Sequence, residues 1–394
     1  MRPVRVIVFN MDESFGPTLR RTLQGFDRVR IVAEVDEPAM LPTVAQQFPA
    51  ELLVLHLDPT PDAILPIAGD LVPGHPSLDI FAISESTDGQ LILSAMRRGF
   101  REFITKPIDI VMLGEAIDKI AQRVEDGPPD GKLISVLGTA GGVGATALST
   151  NLAVELKSMC PGNVTVVDLD YRFGQVATFL DVFPTYTIAD LAQSTEELEQ
   201  QVIDRTLVDH SSGVRVLSRP AHFVQSDNIT AANCVNVLTN LLGMNEYVVV
   251  DGPNRYDPGA SAILGLADVT LMVLQLLVPS VRNAQRILQG MEEAGFNLER
   301  AQLVVNRVGR ESGPLGLSDI EGILNKKVFT TIPDDWQTMS TAINLGETVI
   351  QRGPKTKLRA SIRALAQRIH DPDAVETQES EKKSNLLAKI FSEA

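Results

Sequence analysis

Gly138-Thr139-Ala140-Gly141-Gly142-Val143-Gly144-Ala145-Thr146 follows an apolar run at residues 133–137 and opens a helical pattern at residues 147–156. Strand, glycine-rich turn, then helix is the context that a phosphate-binding loop requires. Glycines let the backbone approach an anion, and the helix N-terminus presents N–H donors at its positive dipole end. In the usual pattern a lysine precedes the Ser/Thr and reaches the terminal phosphates; here Ala145 holds that place before Thr146. The stretch therefore predicts a nucleotide cradle without its usual cation, with Gly141, Gly142, Val143, Gly144, Ala145, Thr146 and Ala147 as the binding residues. A purely structural turn is the alternative that the rest of the chain has to weigh against.

Two further stretches weigh on it. Val164-Thr165-Val166-Val167-Asp168-Leu169-Asp170 reads as a buried strand ending in two carboxylates, and Tyr247-Val248-Val249-Val250-Asp251-Gly252-Pro253 as a second ending in one. Carboxylates at the C-terminal ends of parallel strands lie beside the crevice where such sheets bind ligands. Thr146 with Asp168 or Asp251 is thus the candidate Mg²⁺ set, and Asp170 is the catalytic candidate that would orient an attacking water. For any one of these residues a cap or turn role competes. Three aspartates in register with one loop favour the site.

Residues 4–9, 29–33, 52–57, 79–83 and 102–105 form apolar runs that alternate with helical patterns at 88–96 and 109–120. This βαβα rhythm predicts a parallel sheet covered on both faces. Ala95-Met96-Arg97-Arg98-Gly99-Phe100-Arg101-Glu102-Phe103-Ile104-Thr105-Lys106-Pro107 resembles the end of response-regulator receiver domains, and Ser84 stands where receivers keep Ser or Thr. Phosphoryl transfer there needs a nucleophilic carboxylate after the third strand and an acidic pair after the first. Aligning Glu51-Leu52-Leu53-Val54-Leu55-His56-Leu57-Asp58 puts His56 at the acceptor place, with Asp58 two residues beyond. Asn10 and Met11 replace the acidic pair, and Asp12 remains. The expectation is a pseudo-receiver acting as a docking module; a site rebuilt around Asp58 and Asp12 is the alternative.

Val124-Glu125-Asp126-Gly127-Pro128-Pro129-Asp130-Gly131 combines a helix-ending glycine, two prolines and charge, and marks a domain boundary. The expected organisation is a receiver-like, flavodoxin-like domain at 1–124, a linker at 125–131, a P-loop NTPase domain at 132–370 and a tail at 371–394. With 394 residues, 44% of them hydrophobic, each domain can bury a core. A formal charge of −15 argues against nucleic acid as a partner, because phosphate backbones are engaged through Lys and Arg. Two cysteines, Cys160 and Cys234, make no disulfide framework or metal spacing, which suits a reducing cytoplasm. No export signal is visible, and the greasiest region, 263–278, is broken by Asp268 and Gln275 and too short to cross a membrane.

Residues 132–370 resemble the MinD/ParA group of P-loop ATPases, and with the receiver-like part in front the chain resembles the CpaE/TadZ family of Tad-type pilus assembly proteins. Carrying that match are Val166-Val167-Asp168-Leu169-Asp170-Tyr171-Arg172-Phe173-Gly174-Gln175-Val176-Ala177, Val216-Leu217-Ser218-Arg219-Pro220, and Ile332-Pro333-Asp334-Asp335 through Ala342-Ile343-Asn344-Leu345-Gly346. In this branch a first lysine of the loop crosses to the partner's nucleotide; Ala140 stands at that position, so both lysines are absent. The resemblance implies ATP and Mg²⁺ as cofactors, Asn306 with Arg307 on the adenine side, and a nucleotide-dependent homodimer. It also implies a cytoplasmic protein at the cell pole, peripheral to the inner membrane. Its partners would be the pilus secretion ATPase and inner-membrane platform. Loss of two cations that stabilise developing charge points to binding with weak or absent hydrolysis. An active ATPase positioning cargo on membrane or nucleoid is the alternative.

Residues 371–381 are polar and acidic, a linker composition. Beyond them Leu386, Leu387, Ile390 and Phe391 recur at helical spacing beside Lys382, Lys383 and Lys389. MinD-type proteins carry a C-terminal amphipathic membrane-targeting helix, and this segment is similar. Membrane contact, a protein-docking helix and a disordered end all remain open at this point.

Overall fold

The computed structural model describes residues 3–124, 131–192, 198–227, 229–252, 258–309 and 315–372. The linker residues 125–130 and the segment 373–394, with Leu386, Leu387, Ile390 and Phe391, lie outside the described residues.

Two sheets organise what is described. The first contains β1 (Val4–Phe9), β2 (Val29–Val35), β3 (Leu52–His56), β4 (Asp79–Ser84) and β5 (Glu102–Thr105), in the order β2-β1-β3-β4-β5. All four pairings are parallel, and the order is that of flavodoxin-like doubly wound sheets. Consecutive residues Leu52 to Leu55 are all fully buried, so both faces of β3 are covered; this is why the strand reads as an unbroken apolar run. Covering the sheet are α1 (Gly16–Gln24), α2 (Leu41–Gln47), α3 (Pro61–Leu71), α4 (Gly89–Arg97) and α5 (Ile110–Val124).

The second sheet has eight strands: β6 (Lys132–Gly138), β7 (Val164–Asp168), β8 (Val208–Asp209), β9 (Val214–Leu217), β10 (Tyr247–Asp251), β11 (Val269–Leu274), β12 (Ala301–Val308) and β13 (Val328–Pro333). Their order is β13-β12-β11-β6-β10-β7-β9-β8, and only the β8–β9 pairing is antiparallel. β6 is central, flanked by β11 and β10, so the loop that leaves its C-terminal end stands in the crevice where such sheets bind ligands. Helices of this part are α6 (Ala145–Lys157), α7 (Val176–Phe179), α8 (Ile188–Ala192), α9 (Gln200–Thr206), α10 (Phe223–Ser226) and α11 (Ala231–Leu242). They continue with α12 (Pro258–Leu266), α13 (Val278–Glu293), α14 (Leu317–Leu324), α15 (Trp336–Leu345), α16 (Val349–Arg352) and α17 (Lys357–His370).

The apolar region 263–278 resolves into the end of α12, strand β11 and the start of α13. No helix among the described residues is long and apolar enough to cross a membrane. Asp268, the charge inside that region, has a structural task. Its carboxylate accepts from the Leu133 amide at 2.7 Å and from Arg30 Nη2 at 2.8 and 2.6 Å, tying β2 of the first sheet to the start of β6. Nearby, Arg21 Nη2 donates to the Glu292 carbonyl at 3.2 Å, and the Asn297 amide donates to Gln24 Oε1 at 3.0 Å. Gly295 sits so close to Pro17 that a Cβ there would lie 2.1 Å from its carbonyl oxygen.

Candidate functional site

The turn from β6 into α6 is shaped by backbone that only glycine adopts cheaply: Gly142 has φ +75° and Gly144 has φ +99°. At Gly144 there is a second reason, since a Cβ would stand 2.3 Å from Asn306 Nδ2. Amide side chains from distant elements hold the carbonyls of the turn. Asn283 Nδ2 of α13 donates to Thr139 O at 2.8 Å, Gln275 Nε2 to Gly142 O at 3.3 Å and Asn306 Nδ2 to Val143 O at 2.8 Å. The Thr139 hydroxyl is fixed between Val273 O at 3.1 Å and the Ser280 hydroxyl at 2.7 Å. Carbonyls are thus taken up on one side, while the N–H groups from Ala140 to Ala147 have no acceptor among the described residues. That is the arrangement an anion-binding turn at a helix N-terminus needs.

The turn borders a cavity of about 980 Å³. Its lining includes Gly138 through Ala147, Asp170, Arg172, Phe173, Asn306, Arg307 and Trp336. Both arginines are engaged: Arg172 pairs with Asp227 at 2.8 Å, and the Arg307 guanidinium lies 5.8 Å from the centre of the Trp336 ring. Ala140 and Ala145 stand in the turn with no cation of their own.

The aspartates divide into different environments. Asp168 and Asp251 are register partners on adjacent strands, and both are buried. Asp168 accepts from the Asp170 amide at 3.2 Å and the Val176 amide at 3.1 Å, so its oxygens close the turn that leads to α7. Burial first, then the neighbouring Asp251 charge, push its pKa well up despite those bonds. Asp251 is different. Neither of its oxygens has a hydrogen bond of good geometry among the described residues. The Thr146 and Ser149 hydroxyls lie near enough to offset part of the burial effect, which still raises the pKa to about 6. Ser149 directs its own proton to Thr146 O at 3.0 Å. An orphaned, buried carboxylate beside the Thr146 hydroxyl at the foot of a phosphate-type turn fits a divalent cation, since such a group is costly unless paired or metal-bound. No group of three or more His, Cys, Asp or Glu gathers around a metal position among the described residues; Mg²⁺ held here would draw its remaining oxygens from phosphates and water.

Asp170 lines the cavity, and its Oδ1 accepts from the Arg172 and Phe173 amides at 3.3 and 3.0 Å. Asn306, expected on the adenine side, directs its amide to the turn while its Oδ1 accepts from the Arg307 amide at 2.9 Å. Arg307, at φ +56°, faces the same cavity. Sequence reasoning missed Asn283, Gln275 and Ser280, which stand 133 to 144 residues from their partners and carry no local signal. It also missed Trp336, although this residue directly follows the quoted Pro333-Asp334-Asp335.

Comparison with solved structures is decisive for this part of the chain. A ParA-family ATPase of Chlorobium tepidum superposes with TM-score 0.58 at 21% identity, covering 61% of this chain and 99% of that one. About 61% of the chain has the MinD/ParA fold. MinD of Pyrococcus horikoshii, solved in complex with Mg-ADP, matches the MinD/ParA-like domain with TM-score 0.54 at 17% identity, over 62% of this chain and 98% of its own. Among curated proteins, MinD of Bacillus subtilis is 25% identical over 268 residues, 66% of this chain and 97% of that protein. An uncharacterised ATP-binding protein of Methanocaldococcus jannaschii is 27% identical over 216 residues, 54% of this chain and 78% of its own. No family model matches the chain.

Proposed function

We propose that the chain is an ATP-binding scaffold for a Tad-type pilus assembly machine, working as a nucleotide-dependent homodimer with weak or absent hydrolysis. Its first sheet serves as a pseudo-receiver docking unit, positioned by residues 1–124, and residues 132–370 bind ATP with Mg²⁺. The single observation that carries the nucleotide part is a glycine-rich turn that borders a cavity, with three of its carbonyls, those of Thr139, Gly142 and Val143, held by side-chain amides. Gly141 through Ala147 would cradle the phosphates, and Thr146 with Asp251 would hold Mg²⁺, which when bound neutralises phosphate charge. With alanine at 140 and 145, the terminal phosphate lacks two cations that other P-loop sites use in the transition state, a deficit on the order of 3 kcal/mol or more. ATP then acts as a conformational ligand.

The homodimer reading is supported by a pair of exposed aromatics, one of which lines the cavity: Phe173, 70% exposed, meets Phe223 with ring centroids 6.1 Å apart. Light scattering of the purified protein with and without ATP, paired with phosphate release on the same sample, tests the whole reading. The expected outcome is an ATP-dependent doubling of mass with little phosphate; failure to bind nucleotide at millimolar ATP and Mg²⁺ would sink it. The second reading, an active ParA/MinD-type ATPase, is favoured by Asp170 at the cavity wall. It requires phosphate release that disappears in Asp170→Ala.

A further inference from the structure

We propose that the first sheet carries an oxyanion site at the C-terminal ends of β4 and β5, and that this site is permanently filled by the chain's own Asp58 carboxylate. Three donors converge on that carboxylate. Ser84 Oγ donates to Oδ1 at 2.7 Å, the Glu85 amide donates to Oδ2 at 2.9 Å, and Lys106 Nζ lies 3.1 Å from Oδ2. A hydroxyl, a backbone N–H and an ammonium aimed at one small anion form the donor set of an oxyanion site.

The donors are positioned by the surrounding structure. Ser84 is fully buried and its Oγ also accepts from the Ser86 amide at 3.1 Å. Lys106 is 14% exposed, lies 4.1 Å from the centre of the Phe15 ring, and reaches Glu85 Oε1 at 3.5 Å. Phe15 in turn packs at a tilt of 41° against the His56 ring, with centroids 4.6 Å apart. These contacts hold the ammonium over the ends of the strands.

His56 is a further neighbour of the carboxylate, held between it and Asn10. Asn10 is oriented by Nδ2 donating to Asp12 O at 2.6 Å and by Oδ1 accepting from the Asp12 amide at 3.2 Å, so its Oδ1 accepts from His56 Nδ1 at 2.6 Å. Burial, then the Lys106 charge, hold the His56 pKa below its ordinary value. Its Nε2 lies 3.2 Å from Asp58 Oδ2. His56 is 0% exposed and has no route to a phosphoryl donor.

The Lys106 ammonium thus faces the Asp58 carboxylate with the exposed Glu85 carboxylate beside it, and both oxygens of Asp58 are occupied. A free phosphate or carboxylate would have to displace a covalently tethered group whose effective concentration far exceeds its own. The same bonds fix residues 84–86, which lead to the Asp88 cap of α4. The site is therefore set in its anion-bound arrangement without any ligand.

The test compares full-length wild type, Asp58→Ala and Asp58→Ala/Lys106→Met in sodium formate and in sodium chloride at matched ionic strength. Melting temperature and ¹³C NMR of labelled formate are the readouts. Asp58→Ala should melt below wild type, bind formate saturably and regain part of the lost melting temperature, while wild type and the double variant show neither effect. The nucleotide turn is intact in all three proteins, so formate binding there cancels, and this test can fail or succeed independently of the proposed function. Equal melting of Asp58→Ala and wild type, or an identical formate response in all three, overturns the proposal. Should Asp58→Ala not fold, Asp58→Asn keeps the size of the side chain but removes its charge; a wild-type melting temperature in that variant also overturns it.

Discussion

Asp251 is the residue whose ionisation reports on the site. Its folded pKa of about 6 exceeds the ordinary 3.8, so folding takes up a proton. The carboxylate costs nothing below about pH 4; the penalty grows as pH rises toward 6 and is constant above, on the order of 3 kcal/mol in full. Urea melts as a function of pH should show Asp251→Asn more stable than wild type above pH 6 and equal near pH 4. Mg²⁺ competes with the same proton, so the Mg²⁺-dependent part of nucleotide affinity should weaken below about pH 6 in wild type and be missing in the variant. Ala145→Lys tests the other feature of the turn. Restoring a cation there should tighten ATP binding and raise phosphate release about tenfold or more, measured at saturating Mg²⁺. An unchanged rate would show that the missing lysine is not what limits turnover.

The element that makes the site is the turn between β6 and α6, and it is rigid because other elements hold its carbonyls. Asn283 of α13 is the clearest case: it touches the turn from behind, at Thr139 O, and lines the cavity with the turn. Asn283→Ala should cost about 1–2 kcal/mol, because Thr139 O loses its side-chain partner, and should weaken ATP binding through loosening of the turn. Thermal melts and a binding isotherm on one preparation check both halves. Loss of stability with unchanged affinity would show that the turn holds its shape without α13. Strand β10 beside it was legible in advance because a parallel strand covered on both faces becomes an uninterrupted apolar run; Tyr247 to Asp251 are all buried. The two-residue β8 and the half-buried β13 are too short or too mixed in polarity to announce themselves.

At the scale of the molecule, the Arg30–Asp268 pair links the two sheets, and its two ends are unequal. Arg30 is 4% exposed and its Nη1 has no hydrogen-bond partner among the described residues, whereas Asp268 is 32% exposed and water can reach it. Removing the acid strands a buried cation; removing the base leaves an acid that hydrates. Asp268→Asn should therefore destabilise by about 3 kcal/mol and Arg30→Met by clearly less. Calorimetry on the two variants and their double mutant measures the difference, and equal costs would contradict the burial argument. Since Asp268 also holds the Leu133 amide of β6, its loss should be felt in the strand that carries the phosphate turn.

The order of residues alone determined the glycine pattern at 138–146, the missing lysines at 140 and 145, and the alternation that makes an α/β chain. Those are properties of spacing along the backbone, and they survive without knowing what lies opposite. Only tertiary structure decided which aspartate is spent and which is left over. Asp168 is consumed by the Asp170 and Val176 amides, while its register partner Asp251, 83 residues later in the chain, lies beside the Thr146 and Ser149 hydroxyls with no hydrogen bond of good geometry among the described residues. It likewise turned Asn306 toward Val143 and joined Asp58 to Lys106. Hydrogen bonding is settled within about 3 Å, and strand order and register bring groups that far apart in the chain to that distance.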